Sequence, residues 1–246
     1  MITAIIQARL SSQRLPKKLI MKINQKTLLE NLFSQLSYSK QIEKRIIATT
    51  SDTIDDEIEH IANSLNISCF RGNSLNVLDR YYNCAKLFGL ETIVRISGDA
   101  PLIDPEIVDR TIEYYKKNNF DYVSNFVKRT FPIGTEVEIF SFETLEKCWS
   151  NAKKPYEKEH VTPFIYENPD LFNIGSIQNI ENSSHLHWTV DTIEDFTFVE
   201  SISKKIKNRP ILMNHILDLL QNEPDLVKIN QSVDPFAGFK KSKMET

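Results

Sequence analysis

Residues 1–18 read MITAIIQARLSSQRLPKK, in which a short run of apolar and β-branched residues passes directly into a basic loop. Similar runs recur along the chain, separated by segments with the apolar spacing of amphipathic helices. The predicted strands are Ile2–Ile6, Ile46–Thr50, Ile67–Phe70, Thr92–Ile96, Tyr122–Ser124, Glu136–Phe140 and Trp188–Val190. Strands that alternate with helices in this way predict an α/β fold, a mostly parallel sheet with helices on both faces.

The predicted helices begin at recognisable capping residues. They are expected over residues 28–37, 54–65, 76–88, 106–117 and 193–207. Thr27 with Glu30 forms a capping-box pattern, and Asp104 precedes a proline at the first helical position. Thr192 is an expected N-cap as well, followed by acidic residues such as Asp195 that a helix dipole favours in the first turn.

Residues 1–246 are predicted to form a single domain, whose strand–helix alternation is interrupted between residues 125 and 187. We interpret residues 125–187 as an α+β elaboration inserted into the sheet domain, because the alternation resumes at Trp188. The residues beyond Pro224 are polar and end in KKSKMET, so we expect them to be loosely attached.

The composition excludes several classes of protein. The chain has 30 basic and 33 acidic residues and a formal net charge of −3, which gives no reason to expect binding to nucleic acid or to an acidic membrane. Its three cysteines, Cys69, Cys84 and Cys148, form no CxxC clip and suit a reducing compartment. No apolar run approaches the ~18 residues of a membrane span, and the first residues lack a signal-peptide core. We therefore expect a cytoplasmic protein.

Residues 9–18 follow the first predicted strand, at the sheet edge where open α/β sheets bind their ligands. The loop carries four basic side chains, Arg9, Arg14, Lys17 and Lys18, and two serines. Arginine forks and lysine point charges suit phosphate oxygens, so the loop is a candidate phosphate-binding site. A solvated basic loop is the alternative interpretation. The chain contains neither a P-loop nor a GxG dinucleotide motif.

Two aspartates follow other predicted strands. Asp99 comes directly after Gly98 at the end of Thr92–Ile96, and Asp191 comes directly after Trp188–Val190. A carboxylate behind a glycine can approach a cation closely, and Mg²⁺ prefers one or two carboxylates completed by phosphate oxygens and water. The two aspartates are therefore candidates to share a metal across the sheet edge. For Asp99, a turn aspartate that caps backbone N–H groups is the alternative interpretation.

Five stretches together resemble the cytidylyltransferase-like proteins of polysaccharide biosynthesis, in particular the spore coat polysaccharide biosynthesis protein F family. More distant similarity connects the chain to the synthetases that make CMP-linked 3-deoxy-octulosonate and CMP-linked acylneuraminate. The stretches are IIQARLSSQRLPKK (5–18), RGNSLNVLDRYYNCA (71–85), VRISGDAPLIDPEIVD (94–109), EKEHVTPFIYENP (157–169) and WTVDTIEDFTFV (188–199). They follow the family order across nearly the whole chain.

The resemblance implies a GT-A-like nucleotide-diphospho-sugar transferase fold. It also implies transfer of CMP from CTP to a hydroxyl group of a sugar acid, with Mg²⁺ as cofactor and pyrophosphate as the released product. Such enzymes supply nucleotide sugars for surface polysaccharide or glycan synthesis. The family is usually dimeric through the inserted region, so residues 125–187 are expected to serve dimerisation or the acceptor side.

The resemblance also assigns roles to residues of this chain. The expected nucleotide-binding residues are Ala8, Arg9, Ser11, Ser12, Arg14, Lys18, Arg71 and Gly98. The expected catalytic residues are Arg9, Lys18 and Asp99, and the expected metal ligands are Asp99 and Asp191. The expected acceptor-side residues are Asn125, Glu136 and His160, and for His160 a purely structural role is an equal alternative.

The chain departs from the family pattern at Lys17 and Ser11, where glycines are usual, and at Ala100, where a cysteine is usual. Two other functions stay open on the sequence alone. One is a glycosyltransferase of the same fold, although such enzymes usually hold their metal with an Asp-x-Asp motif and this chain has none. The other is a non-catalytic nucleotide-binding homologue, for which Lys17 is the main argument. The sequence names neither the sugar nor the base.

Overall fold

A seven-stranded sheet organises the computed structural model of the chain, which describes residues 1–245. The strands are β1 (Ile2–Gln7), β2 (Lys22–Ile23), β3 (Lys26–Thr27), β4 (Lys44–Thr50), β5 (Ser68–Gly72), β6 (Thr92–Ser97), β7 (Tyr122–Ser124), β8 (Glu138–Ser141) and β9 (Ile174–Ser176). The α-helices are α1 (Leu28–Leu36), α2 (Asp56–Ser64), α3 (Val77–Leu87), α4 (Pro105–Lys117), α5 (Phe142–Asn151), α6 (Pro155–His160), α7 (Pro163–Tyr166), α8 (Ile193–Lys205), α9 (Met213–Asn222) and α10 (Ala237–Met244). Short 3₁₀ helices cover Lys18–Ile20, Thr53–Asp55 and Pro224–Ile229.

The sheet has the strand order β5-β4-β1-β6-β8-β7-β9, and β2 pairs separately with β3. Strands β5, β4, β1 and β6 are parallel, and β9 is parallel to β7, whereas β8 runs antiparallel to both β6 and β7. The predicted fold class, a mostly parallel sheet covered by helices, is confirmed. Both β8 and β9 come from residues 125–187, so this stretch adds strands to the main sheet.

Strand β1 lies in the middle of the parallel part and is buried on both faces, which explains its nearly continuous apolar sequence. Ile6 faces a core that includes side chains of α1, α2 and α4, and Ile5 faces a second core that includes α3 and α5. A third core lies under α8 and α9 and is centred on the fully buried Trp188. These layers hold the carboxyl ends of β1 and β6 in fixed positions.

No helix in residues 1–245 is long and apolar enough to span a membrane.

The predicted helix caps are present. The Thr27 side chain accepts the Glu30 N–H while Glu30 accepts the Thr27 N–H, which completes a capping box. Asp104 Oδ1 accepts backbone N–H groups at the start of α4. Thr192 accepts the Asp195 N–H at the start of α8. Local side-chain chemistry therefore predicts the amino-terminal ends of these helices well.

Three sequence predictions about the strands are wrong in part. Residues 188–190 form no strand, because Trp188 and Val190 are buried against α8 and the neighbouring loops instead of pairing in the sheet. The Trp188 N–H donates to the Ile133 carbonyl at 2.8 Å, and His187 forms an isolated bridge with Ile133, outside the strands of the sheet. The strand expected from Glu136 begins at Glu138. Strand β9, three residues long, lies in a stretch where no strand was predicted.

The expected loose attachment of the residues beyond Pro224 is also wrong. Asn230 is buried, and α10 packs on α6, where the Phe239 ring lies 4.9 Å from the His160 ring. Lys243 adds an ion pair of 2.9 Å to Glu167. The Phe239 ring also packs edge-on against Tyr156, and the Phe236 ring lies beside the Arg129 guanidinium. The polar average of this segment conceals these aromatic contacts.

Candidate active site

The basic loop after β1 is tied down by a buried aspartate. The Leu10 N–H donates to Asp55 Oδ1 at 2.7 Å, and the Thr50 hydroxyl donates to the other oxygen of the same carboxylate. The Lys17 N–H closes the loop by donating to the Leu10 carbonyl at 2.9 Å. Asp55 is fully buried, so its hydrogen bonds, which we call the Asp55 brace, hold the loop backbone in one conformation.

Lys17 has a backbone conformation that is unusual for a residue with a side chain. Its backbone is left-handed, with φ 60° and ψ 20°, a conformation that glycine adopts without steric cost. The side chain of Lys17 is exposed, whereas the next residue, Lys18, begins the 3₁₀ helix and is buried. The left-handed turn therefore directs one lysine to solvent and its neighbour into the site.

The Lys18 ammonium lies between two carboxylates. Its Nζ is 2.8 Å from Asp99 Oδ2 and 2.8 Å from Asp191 Oδ1, and Arg14 Nη2 is 2.9 Å from Asp191 Oδ2. The structure thus brings together four residues from three separate stretches of the sequence. With both aspartates ionised, two positive and two negative charges balance in this cluster.

Charge pairing decides the protonation of the cluster. Burial opposes the charged form of Lys18, but Asp99 and Asp191 outweigh it and raise the pKa of Lys18 above its ordinary value. Burial likewise opposes the charged form of Asp99, but Lys18 outweighs it and lowers the pKa of Asp99. Lys18 and Asp99 therefore form a true ion pair at neutral pH.

Gly98 allows the chain that follows β6 to place Asp99 beside Lys18. A Cβ atom at Gly98 would lie 2.6 Å from the Gln7 carbonyl oxygen, and the Gly98 N–H donates to that oxygen at 2.9 Å. The Asp99 carbonyl in turn accepts the Val190 N–H at 2.9 Å, which joins the two aspartate-bearing segments. Close backbone contact at Gly98 requires the absence of a side chain.

The pair of carboxylates fits a divalent metal ion. Asp99 and Asp191 each direct an oxygen to one shared point, which the Lys18 ammonium occupies as a cation. Within residues 1–245, no group of three or more His, Cys, Asp or Glu side chains forms a closed metal site. A metal at this point would take its remaining ligands from phosphate oxygens and water, as Mg²⁺ commonly does.

On the side facing α6, Arg9 Nη2 lies 3.6 Å from Glu159 Oε1. The neighbouring His160 Nε2 is 2.7 Å from the Ser242 hydroxyl of α10. Burial, helped by the positive charges of Arg95 and Arg9, lowers the pKa of His160 to about 4, so this imidazole is neutral at physiological pH. Helix α6 therefore connects the basic loop to the C-terminal segment.

The remaining predicted site residues have other partners. Buried Asn125 donates to the Thr135 carbonyl and accepts the Val137 N–H, which braces its own loop. Glu136 pairs with Arg129 at 2.6 Å. The acceptor-side role of Asn125 and Glu136 stays a prediction.

On the nucleotide side, Arg71 pairs with acidic residues of α2, with its Nη1 2.6 Å from Asp56 Oδ1. Ala8 is buried beside β4, Ser11 is exposed, and Ser12 accepts the Leu15 N–H at 3.5 Å. The expected contacts of these residues with the nucleotide also stay predictions.

Sequence reasoning missed several residues that shape the site. Arg80 is buried, its Nη1 donates to the Asn73 carbonyl, and its Nε has no partner within residues 1–245. The resemblance places its segment near the nucleotide, but Arg80 was not among the expected binding residues. Asp55 and Asp195 were missed as supports, because their partners are not visible in the local sequence pattern.

Comparison with known proteins identifies the family of this chain. A family model described as cytidylyltransferase matches residues 3–232. The uncharacterised protein MJ1063 of Methanocaldococcus jannaschii is 41% identical over 234 residues, which is 94% of this chain and 95% of that protein. The spore coat polysaccharide biosynthesis protein SpsF of Bacillus subtilis is 28% identical over 232 residues, with 91% and 95% covered.

Solved structures agree with the family match. A cytidylyltransferase from Leptospira borgpetersenii superposes with a TM-score of 0.89 at 32% identity, covering 92% of this chain and 96% of that one. A CMP:2-keto-3-deoxy-manno-octonic acid synthetase complexed with CTP superposes with a TM-score of 0.64 at 13% identity, covering 83% and 98%. At that identity the second likeness concerns the fold alone.

Proposed function

The chain belongs to the cytidylyltransferase family of CTP-dependent nucleotidyltransferases, and on this premise we propose that it transfers CMP from CTP to a hydroxyl group of a sugar acid. The observation that carries the proposal is the ion cluster in which Lys18 is held between Asp99 and Asp191 at the end of a basic loop. The product would be an activated sugar for surface polysaccharide or glycan synthesis. The name of SpsF, which refers to spore coat polysaccharide, supports this role.

The triphosphate of CTP is assigned to the loop after β1. Arg9, Arg14 and Lys18 supply three positive charges there, and arginine binds phosphate oxygens through two parallel hydrogen bonds. Arg14 and Lys18 pair with Asp191 in this structure, so they would turn from the carboxylate to the phosphates when CTP binds. The Asp55 brace keeps the loop backbone in place during that change.

Asp99 and Asp191 are the residues that would hold Mg²⁺. A bound Mg²⁺ neutralises phosphate charge and helps to orient the triphosphate. In this structure, Lys18 neutralises the two carboxylates. Asp99 and Asp191 would therefore face a cation in either case, Lys18 or a bound metal.

In the proposed reaction, a sugar hydroxyl oxygen forms a bond to the α-phosphorus of CTP. The bond from that phosphorus to the bridging oxygen of pyrophosphate breaks, the electron pair leaves with pyrophosphate, and the hydroxyl proton passes to solvent. Negative charge grows on the leaving group, where Arg14 and Lys18 would stabilise it. Catalysis then comes from positioning and charge neutralisation, without a covalent enzyme intermediate.

The acceptor would lie on the side of α6, between the basic loop and the C-terminal segment. Arg9 and Glu159 face each other there, and neutral His160 offers a hydrogen-bonding nitrogen without added charge.

A homodimer through residues 125–187 belongs to the same proposal. Helix α5 leaves the Trp149 ring partly exposed, so an apolar side chain is present on this stretch for a partner copy to cover.

The proposal is tested by melting temperatures measured with CTP, UTP, ATP and GTP, each with and without Mg²⁺. A ligand at 100 times its Kd stabilises the fold by about 2.7 kcal/mol, which raises the melting temperature visibly. We expect the largest rise with CTP and Mg²⁺, followed by pyrophosphate release when a sugar acid is added. A preference for another nucleotide would overturn the assignment to CMP transfer.

Two adjacent lysines provide a matched comparison. We expect Lys18→Met to lower pyrophosphate release by roughly 100-fold or more, the usual effect of losing one charged group that stabilises a transition state. Lys17→Met removes the same charge from an exposed neighbour and should leave most of the activity. Equal losses in both variants would mean that general charge, not the site geometry, matters.

CTP binding without pyrophosphate release from any sugar acid would instead indicate a non-catalytic homologue.

A further inference from the structure

Behind Asp191 lies a buried polar network of three side chains, His187, Asp195 and Asn230, all less than a tenth exposed. His187 Nε2 is 2.9 Å from Asp195 Oδ1, and Asn230 Nδ2 donates to the same oxygen at 3.0 Å. Asn230 also donates to the His187 carbonyl at 3.1 Å. The network joins the segment before α8 to the segment beyond Pro224.

The second oxygen of Asp195 holds the backbone of the metal-site segment. Asp195 Oδ2 accepts the Asp191 N–H at 3.1 Å and the Thr192 N–H at 2.9 Å, and it also accepts the Thr192 hydroxyl at 3.1 Å. One carboxylate therefore binds the Asp191 backbone with one oxygen and the buried network with the other. A helix cap requires only the Thr192 contacts, so the bond to Asp191 and the burial on the far side go beyond capping.

Asp191 needs such support because no strand carries it. Asp99 is separated by one residue, Gly98, from β6, which is paired on both sides, whereas residues 188–190 lie outside the regular strands. The Val190 N–H bond to the Asp99 carbonyl fixes the chain just before Asp191. The Asp195 carboxylate fixes it at Asp191 and just after it.

We propose that Asp195 is a positioning residue that keeps the Asp191 carboxylate aimed at the point it shares with Asp99, and that His187 and Asn230 hold Asp195 in place. The inference rests on the proposed role of Asp191 as a metal ligand. Residues behind a metal ligand orient it, and their loss typically costs 10- to 100-fold in metal affinity or activity, as an order of magnitude.

The test is the variant Asp195→Asn, which keeps the size of the side chain but removes the negative charge and one acceptor oxygen. The readout is the Mg²⁺ concentration that gives half of the Mg²⁺-dependent rise in melting temperature at saturating CTP, with no sugar acid present. We expect this concentration to increase about 10-fold or more. In turnover assays, excess Mg²⁺ should restore much of kcat.

The matched control is Asp109→Asn. The Asp109 carboxylate accepts the Lys40 and Gln41 N–H groups and the Ser39 hydroxyl, so it also fixes a backbone segment, but between α1 and β4 at the opposite end of the sheet. We expect this variant to lose stability without changing the Mg²⁺ requirement. If Asp195→Asn behaves in the same way, Asp195 is merely structural and the inference is overturned.

Two further variants make the result decisive. Asp191→Asn should change the Mg²⁺ requirement at least as strongly as Asp195→Asn. If Asp191→Asn leaves it unchanged, the proposed metal site itself fails, and the positioning role fails with it. Should Asp195→Asn not fold, Asn230→Ser gives the milder test, because it removes one donor to Asp195 and leaves the carboxylate. An unchanged Mg²⁺ requirement in that folded variant would overturn the inference.

Discussion

The two aspartates that face Lys18 come from halves of the site that are built differently. The sheet-supported half consists of the loop after β1 and Gly98–Asp99 after β6, both at ends of strands paired on two sides. The strand-free half consists of Asp191, the network behind it, and helices α6 and α10. In the first half, backbone pairing within the sheet fixes most of the functional groups, and the Asp55 carboxylate holds the loop. In the second half, polar side chains and aromatic contacts do so.

This difference predicts which substitutions damage each half. Backbone pairing between strands tolerates most side chains, but it needs space where two backbones lie close together. The sheet-supported half should therefore be sensitive to added atoms. Buried polar groups are costly when they lose a partner, so the strand-free half should be sensitive to removed hydrogen bonds. Four measurements, from the largest expected effect to the smallest, test that division.

The largest effect is expected from Asp99→Asn. The change removes the carboxylate that the ladder of β6 delivers to Lys18, and we expect pyrophosphate release to fall by about 100- to 1000-fold while the fold survives. The steady-state rate with CTP, Mg²⁺ and a sugar acid measures this, and the melting temperature serves as the folding control. Turnover close to that of the unchanged protein would remove Asp99 from the metal site.

The next effect concerns space in the sheet-supported half. In Gly98→Ala, the new methyl group would lie 2.6 Å from the Gln7 carbonyl oxygen, where only backbone movement can relieve the clash. We expect a loss of about 1–3 kcal/mol in the free energy of unfolding, measured by urea denaturation.

The same substitution in the strand-free half should have the opposite sign. In Gly238→Ala, the added methyl meets only Arg14 Nη2 at 3.9 Å, and Gly238 lies within α10. We expect a gain of about 0.4–1 kcal/mol in the free energy of unfolding, because alanine is less flexible in the unfolded chain. Destabilisation in both variants would contradict the division into two halves.

At neutral pH the smallest effect is that of His160, whose contribution to stability changes only in acid. Its pKa falls from an ordinary 6.5 to about 4 in the fold, mainly through burial. The unfolded chain therefore binds a proton more readily between pH 6.5 and 4, so this residue lowers stability as the pH falls through that range. We expect the unfolding free energy of His160→Gln to fall less steeply there than that of the unchanged protein. Parallel curves would contradict the partly buried, neutral imidazole.

The sheet-supported half is the part of the site that the sequence predicts best. An apolar run with a basic loop after it, and a glycine before an aspartate, are local patterns, so β1, β6 and Asp99 could be located without the structure. The strand-free half depends on partners distant in sequence. Periodicity does not distinguish an extended segment packed on a helix from a paired strand, which explains the error at Trp188–Val190.

The same limit applies to single residues. Thr192 and Asp195 have the pattern of a helix start, and that interpretation is correct, but the burial of Asp195 against Asn230 is a tertiary contact between residues 35 positions apart. Lys18 belongs to a visibly basic loop, yet its place between two carboxylates depends on three separate segments meeting at one edge. Composition also concealed the packing of α10, because an aromatic contact of Phe239 and an ion pair of Lys243 attach a segment that is polar on average.

The position of α10 decides where an affinity tag belongs on this protein. A tag fused at the carboxyl terminus would follow a helix that packs against α6 beside His160. Met1 lies beside Glu91, at the edge of the sheet opposite the basic loop. An amino-terminal tag therefore leaves the candidate active site uncovered, and kinetic comparisons of variants are best made on protein purified in that way.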